Sequence, residues 1–290
     1  MARRRRWRRW GIGFGVVLLL VYVLFVFGPG ADWVIVGPRR GRMDAVGARR
    51  EVVQVGAAGI EAWVARSPGL EQGREPDGYV LEFCGNATRA EEIAQYVAQR
   101  WEKQPVEAWV LNYPGVGGSE GSVRLKNIPP AALGVFDELR RRGPGKPIFV
   151  EANSLGTTAA LCVAANRDVA GCVLHDPVPL KQLIVGEYGW WNLWLAAKPV
   201  AWQLPNSLDS IENAKRAKAP VVFILATNDS YIVPKYHKMV TEAYVGEKHF
   251  VMLPGGHWDS VTGDAEAQLR DEIAWLWATR REVRPSGGGG

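Results

Sequence analysis

PIFVEANSLGTTAALCVAAN, residues Pro147 to Asn166, passes from a β-branched and aromatic run through Ser154 into an alanine-rich helical pattern. It reads as strand, sharp turn, serine, helix. A serine on such a turn sits at a helix N-terminus, whose dipole and free amides stabilise negative charge beside it; small residues two positions to either side relieve crowding. Ala152 and Gly156 supply those positions, Ala152 being one methyl larger than the glycine of G-x-S-x-G. A strand-to-helix serine also serves as a plain N-cap, so the reading depends on its partners.

A serine hydroxyl at its free pKa is a poor nucleophile and needs a base and a group that orients the base. Of the four histidines, His175 ends a strand, His237 falls within a helical pattern and His249 begins a strand, whereas His257 lies in LPGGHWDS, a Gly-Gly loop after the last strand. Loops at strand ends are where a base reaches a nucleophile. For the carboxylate, Asp229 in PVVFILATNDSYIVP follows the longest apolar strand of the second half and is preferred to Asp176 in VLHDP. Asp259 lies too close to His257 in sequence to orient it. Ser154, Asp229 and His257 thus occur in the order Ser, Asp, His of α/β-hydrolases. The oxyanion donors expected in that fold are the Leu155 amide, next after the nucleophile, and the Asn86 amide in LEFCGNAT after the third strand.

Outward from this segment, eight short apolar or alternating runs separated by helical patterns predict an α/β fold. The strands are expected over 51–55, 60–65, 79–83, 107–112, 147–152, 171–174, 220–226 and 248–253, and helices over 89–101, 130–141, 155–166, 234–244 and 265–281. A small cap is expected between the sixth and seventh strands, about 179–208. Its tryptophans Trp190, Trp191, Trp194 and Trp202 either pack the cap onto the core or, for the first three, line an apolar substrate channel. Gly115, Gly117, Gly118 and Gly121 do not match G-x-G-x-x-G and read as a turn beside the site. Neither cofactor nor metal is expected. Cys84, Cys162 and Cys172 lie in apolar stretches without zinc or dithiol spacing and read as buried thiols, a Cys162 to Cys172 bridge being the alternative in an exported domain.

The 290-residue chain carries a net charge of +5, but residues 1–50 hold 11 Arg and two acids, leaving 24 basic and 28 acidic residues beyond. The folded part is mildly acidic and has no basic cluster, which argues against nucleic-acid binding. MARRRRWRRW precedes the uncharged run Gly11 to Phe27 and then Gly28-Pro29-Gly30. This is an anchor or a signal peptide. At about 1.5 Å per residue the run just reaches across a hydrocarbon core when it extends into its flanks; the lack of an Ala-x-Ala site and the length of the run favour the anchor. Six Arg before it place the N-terminus in the cytoplasm and the hydrolase domain outside, with Trp7, Trp10 and Trp33 at the interfaces. The expected organisation is a basic tail (1–10), a transmembrane anchor (11–27), a connector (28–50), a hydrolase domain (51–283) and a disordered glycine-ended tail (284–290).

Over roughly residues 50–280 the sequence resembles the abhydrolase-domain serine hydrolases, in particular their membrane-associated, depalmitoylase-like branch. That branch has His-Gly-Asn-Ala, here Cys84-Gly85-Asn86-Ala87, and Asn-Tyr-x-Gly-x-Gly-x-Ser-x-Gly, here NYPGVGGSEG from Asn112 to Gly121. Cys84 and Ala152 depart from the pattern, and the stretch from Asp229 to Pro234 is one residue longer. The expected fold is an α/β-hydrolase with an eight-stranded, mostly parallel sheet, and the expected reaction hydrolysis of an ester or thioester; the anchor and the Trp-rich cap favour a small-molecule or lipid-like acyl substrate, and the resemblance implies an acylated protein among the substrates. Peptidase activity, or a binding protein that has lost catalysis on the same fold, are the alternatives.

Overall fold

All eight runs are strands of one sheet: β1 (Ala48–Val55), β2 (Ala58–Arg66), β3 (Gly78–Phe83), β4 (Val106–Leu111), β5 (Ile148–Asn153), β6 (Gly171–His175), β7 (Val221–Ala226) and β8 (Lys248–Leu253). Their order is β1-β2-β4-β3-β5-β6-β7-β8; β1 and β2 run antiparallel and β3 to β8 are mutually parallel. The computed structural model describes residues 2–41, 43–190 and 193–280. Tail residues 284–290 and Trp191 therefore lie outside the described residues.

The parallel strands read as continuous apolar runs because helices cover both sheet faces. Val80, Phe149, Val173 and Val222 pack against α3 (Ala90–Arg100) and α10 (Gly263–Thr279). Their strand neighbours Leu81, Val150, Leu174 and Phe223 join the other core, with α4 (Ile128–Arg142), α5 (Gly156–Asn166) and α9 (Pro234–Ala243). α8 (Ser210–Ala214) precedes β7. The cap consists of α6 (Leu180–Tyr188), α7 (Ala197–Trp202) and a 3-10 turn at Asn206–Leu208. Cys84, Cys162 and Cys172 are buried free thiols, not a bridge.

The N-terminal region departs from its expected division. Basic tail and apolar run form one continuous helix, α1 (Ala2–Val26), and the connector contains a second, α2 (Gly30–Val36). Glycine permits the break between them: a Cβ at Gly28 would lie 2.3 Å from the Leu24 carbonyl oxygen, and one at Gly30 2.8 Å from the Phe25 Cα. Among the described residues no single helix is long and apolar enough to cross a membrane; Trp10–Val26 and Gly30–Val36 reach that measure only together, bent by 50°.

Candidate active site

Because β3 and β5 to β8 are parallel, their carboxyl ends share one edge of the sheet, where α/β folds build their sites. Phe83 pairs with Ala152, Asn153 with His175, His175 with Ile224 and Ala226 with Leu253 along that edge. Ser154 follows β5 directly and holds a left-handed φ of 51°, a conformation non-glycine residues adopt only when their surroundings impose it. Its amide donates to the His175 carbonyl at 2.9 Å, and the Thr157 hydroxyl donates to its carbonyl at 2.6 Å. The chain then enters α5 so close to β3 that a Cβ at Gly156 would lie 2.0 Å from the Phe83 carbonyl oxygen. Gly156→Ala is therefore expected to cost about 3 kcal/mol, a fall in Tm of roughly 6–12 °C by scanning calorimetry; an unchanged Tm would mean that α5 retreats freely from β3.

His257 Nε2 lies 3.1 Å from Ser154 Oγ, and its Nδ1 lies 2.7 Å from Asp229 Oδ2. Asp229 is fixed in turn, its Oδ1 accepting the Tyr231 and Ile232 amides at 2.8 Å each. Asp229 and His257 are both buried. The sequence weighed Asp229 and Asp176 as rivals, and the structure brings both to the imidazole. Asp176 is fully buried with φ 47°, its Oδ1 accepting the Ala226 amide at 2.8 Å, while its Oδ2 lies 3.4 Å from His257 Nδ1. His237 and His175 complete the cluster. His237 Nε2 lies 3.4 Å from Asp229 Oδ2, and His175 Nε2 lies 3.4 Å from Asp176 Oδ2. Neither histidine was singled out as a site residue, although His175, at the end of its strand beside Asp176, carried a positional signal.

These contacts set the charges. Burial alone would lower the His257 pKa, but the adjacent Asp176 carboxylate, the hydrogen bond to Asp229 and the charges of both raise it to about 9. Burial would raise that of Asp229, yet the nearby His237 and the hydrogen bonds with His257 and the Ile232 amide hold it well below the usual carboxylate range. His175 falls to about 4 through burial. Asp176, Asp229 and His257 each bring a potential metal-ligand atom within 4.8 Å of the others. The Nδ1 contact at 2.7 Å already occupies two of the three with one another.

Asn86 and Leu155 border Ser154 at the floor of a cavity of about 420 Å³. In the same loop the Ala87 amide donates to the Val36 carbonyl at 3.0 Å and the Thr88 amide to that of Gly85 at 3.4 Å. NYPGVGGSEG braces the loop from behind. Tyr113 Oη donates to the Cys84 carbonyl at 2.9 Å, and Asn112 Oδ1 accepts the Ala90 amide at 2.9 Å while its Nδ2 reaches Glu61 and Glu91. Gly117 is obligatory there, since its φ is 55° and a Cβ would meet Asn112 Nδ2 at 2.3 Å.

Among the described residues, the cap tryptophans Trp190, Trp194 and Trp202 do not line the cavity. Trp190 is 68% exposed, and Trp194, in the turn between α6 and α7, is turned onto α6, donating from Nε1 to the Val185 carbonyl at 3.0 Å. The cap presents aliphatic side chains instead, among them Leu183, Ile184 and Val200. Tyr231 and Trp258, two residues after Asp229 and one after His257, stand at the cavity in their place, with ring centroids 5.5 Å apart.

No family model matches the chain. Among curated proteins, the alpha/beta hydrolase domain-containing protein aho-3 of Caenorhabditis elegans is 26% identical over 151 residues, covering 51% of this chain and 42% of that protein. The chain thus spans less than half of that relative's length. An esterase of Pyrococcus furiosus superposes with a TM-score of 0.65 at 14% identity, covering 84% of this chain and 97% of the esterase. Est1E from Butyrivibrio proteoclasticus gives 0.62 at 14% identity, covering 79% of this chain and 99% of its own. Sheet order, serine turn and these likenesses define an α/β-hydrolase fold.

Proposed function

We propose that the chain is a serine hydrolase that cleaves a carboxylic ester or thioester of a lipid-like or acylated substrate. The observation that carries this reading is the line from Ser154 Oγ to His257 Nε2 at 3.1 Å and from His257 Nδ1 to Asp229 at 2.7 Å, opening into an apolar cavity. Ser154 Oγ attacks the acyl carbon as its proton passes to His257 Nε2, and Asp229 holds the ring and balances the imidazolium. The tetrahedral oxyanion accepts from the Leu155 and Asn86 amides. Collapse expels the alcohol or thiol, which takes the proton from Nε2; a water activated by the same nitrogen then releases the acid from Ser154.

Labelling the full chain with a fluorophosphonate and mapping the adduct by mass spectrometry tests this. The adduct is expected on Ser154, together with turnover of p-nitrophenyl esters; a folded protein that takes no label would move the reading to a binding protein.

Membrane attachment through α1 belongs to the same proposal. Residues from Gly11 to Phe25 are apolar or glycine, and nearly all are exposed around the whole helix, a pattern that asks for an apolar surrounding. The six preceding Arg favour a cytoplasmic N-terminus and an outward hydrolase domain. Resistance to alkaline carbonate extraction, with digestion of the C-terminal domain by protease added to intact cells, is the expected result. A domain protected from that protease would reverse the orientation.

A further inference from the structure

We infer that the N-terminal helix pair is part of the substrate site, with α2 forming a wall along which an acyl chain lies. This rests on the hydrolase reading above and goes beyond it, because the sequence assigns residues 28–50 no role but connection.

The cavity that begins at Ser154 is bounded on one side by Phe25 of α1 and by Ala31, Val34 and Ile35 of α2. The helix pair that carries them is docked through neighbouring residues. Val26, Ala31 and Val36 are 3%, 8% and 4% exposed and belong to the same core as Leu155. Polar contacts hold the pair around its junction. Tyr22 Oη donates to the Leu195 carbonyl at 2.6 Å, Gln203 Nε2 to the Val26 carbonyl at 3.0 Å, and Arg124 bridges the Gly28 carbonyl at 2.6 Å and Asp32 at 3.1 Å.

The end of α2 also meets the oxyanion loop. Asn86 Nδ2 donates to the Ile35 carbonyl at 2.7 Å and the Ala87 amide to that of Val36 at 3.0 Å. Gly37, at φ 61°, makes the turn that permits this approach. A helix end has carbonyls without helical partners, and here the loop that carries the Asn86 amide supplies the donors. One short helix thus closes the apolar side of the cavity and fixes the loop beside the reacting carbon. A flexible tether would do neither. Ser154, Val34 and Ile35 line one cavity, so a long acyl chain on the reacting carbonyl runs along Val34 and Ile35 and gains more from that wall than an acetyl group does.

The test uses the full chain in detergent with p-nitrophenyl acetate, octanoate and palmitate. Val34 is 66% exposed, so Val34→Trp places a large ring at the cavity wall with little burden on folding. It is expected to lower kcat/KM for octanoate and palmitate at least tenfold and that for acetate less than twofold. Ile35→Ala, which removes wall without adding bulk, is expected to raise KM for octanoate about fivefold at unchanged kcat. Equal changes on all three esters, or none, overturn the inference while fluorophosphonate labelling of Ser154 persists. Absence of labelling and turnover in the unaltered protein would instead remove the hydrolase reading on which it rests.

Discussion

Ser154→Ala is expected to reduce kcat for p-nitrophenyl esters by about a millionfold and to abolish fluorophosphonate labelling, while leaving Tm nearly unchanged. Loss of a nucleophile that works through a shared base costs on the order of 10⁶ in kcat, because base and carboxylate have nothing left to activate. Oxyanion donors and binding still provide roughly 10³-fold over water, so a small residual rate should survive. The fold should tolerate the change, since the turn at Ser154 is held through its backbone, by bonds to His175 and Thr157. A variant that keeps a tenth of its activity would show that Ser154 is a helix cap and that the nucleophile lies elsewhere.

The two carboxylates behind His257 give the second large effect. In a triad with one carboxylate, its conversion to an amide costs about 10⁴ in kcat, because the imidazole loses its tautomer and its counter-charge. Here Asp176 Oδ2 stands 3.4 Å from the same Nδ1 that Asp229 meets at 2.7 Å. Asp229→Asn is therefore expected to lose only about 10²-fold, Asp176→Asn less than tenfold, and the double variant about 10⁴-fold, a loss larger than the two combined. Asp176 is thus expected to act as a positioning residue, and a pH profile separates that role from a structural one.

With His257 at about 9, kcat/KM of the free enzyme should still be rising through pH 8, since the base is active only when neutral. Asp176→Asn removes a charge that favours the protonated ring and should shift this limb to lower pH. His175, His237 and Asp229 also face the cluster and stay in place. The same pairing has a stability counterpart. A histidine raised above its ordinary value contributes fully below about pH 6.5 and loses that contribution as pH rises through the folded value, here about 9. An Asp176→Asn enzyme with an unaltered rate and an unaltered limb would show that Asp176 takes no part.

The eight strands, the helices between them and the residues at strand ends were all legible in the residue pattern. Those signals are local: an apolar run such as Val221–Ala226 is buried wherever its sheet is assembled, and Gly156 after Ser154 marks a turn without reference to distant residues. It also placed Ser154, Asp229 and His257 on loops after β5, β7 and β8, which the parallel sheet brings to one edge. Tertiary structure decided what depends on distance across that edge. Asp176 and Asp229 looked like alternatives because they are 53 positions apart in sequence; pairing of β6 with β7 sets both against one imidazole. Likewise, Trp190 and Trp194 carried the strongest apolar signal of the cap, but ring orientation follows from packing, and they face away from the cavity. Val34 and Ile35, more than a hundred residues before Ser154, carried none. Their place beside it comes from a break at Gly28 to Gly30 and from hydrogen bonds to Asn86 and Ala87, long-range contacts that local periodicity does not encode.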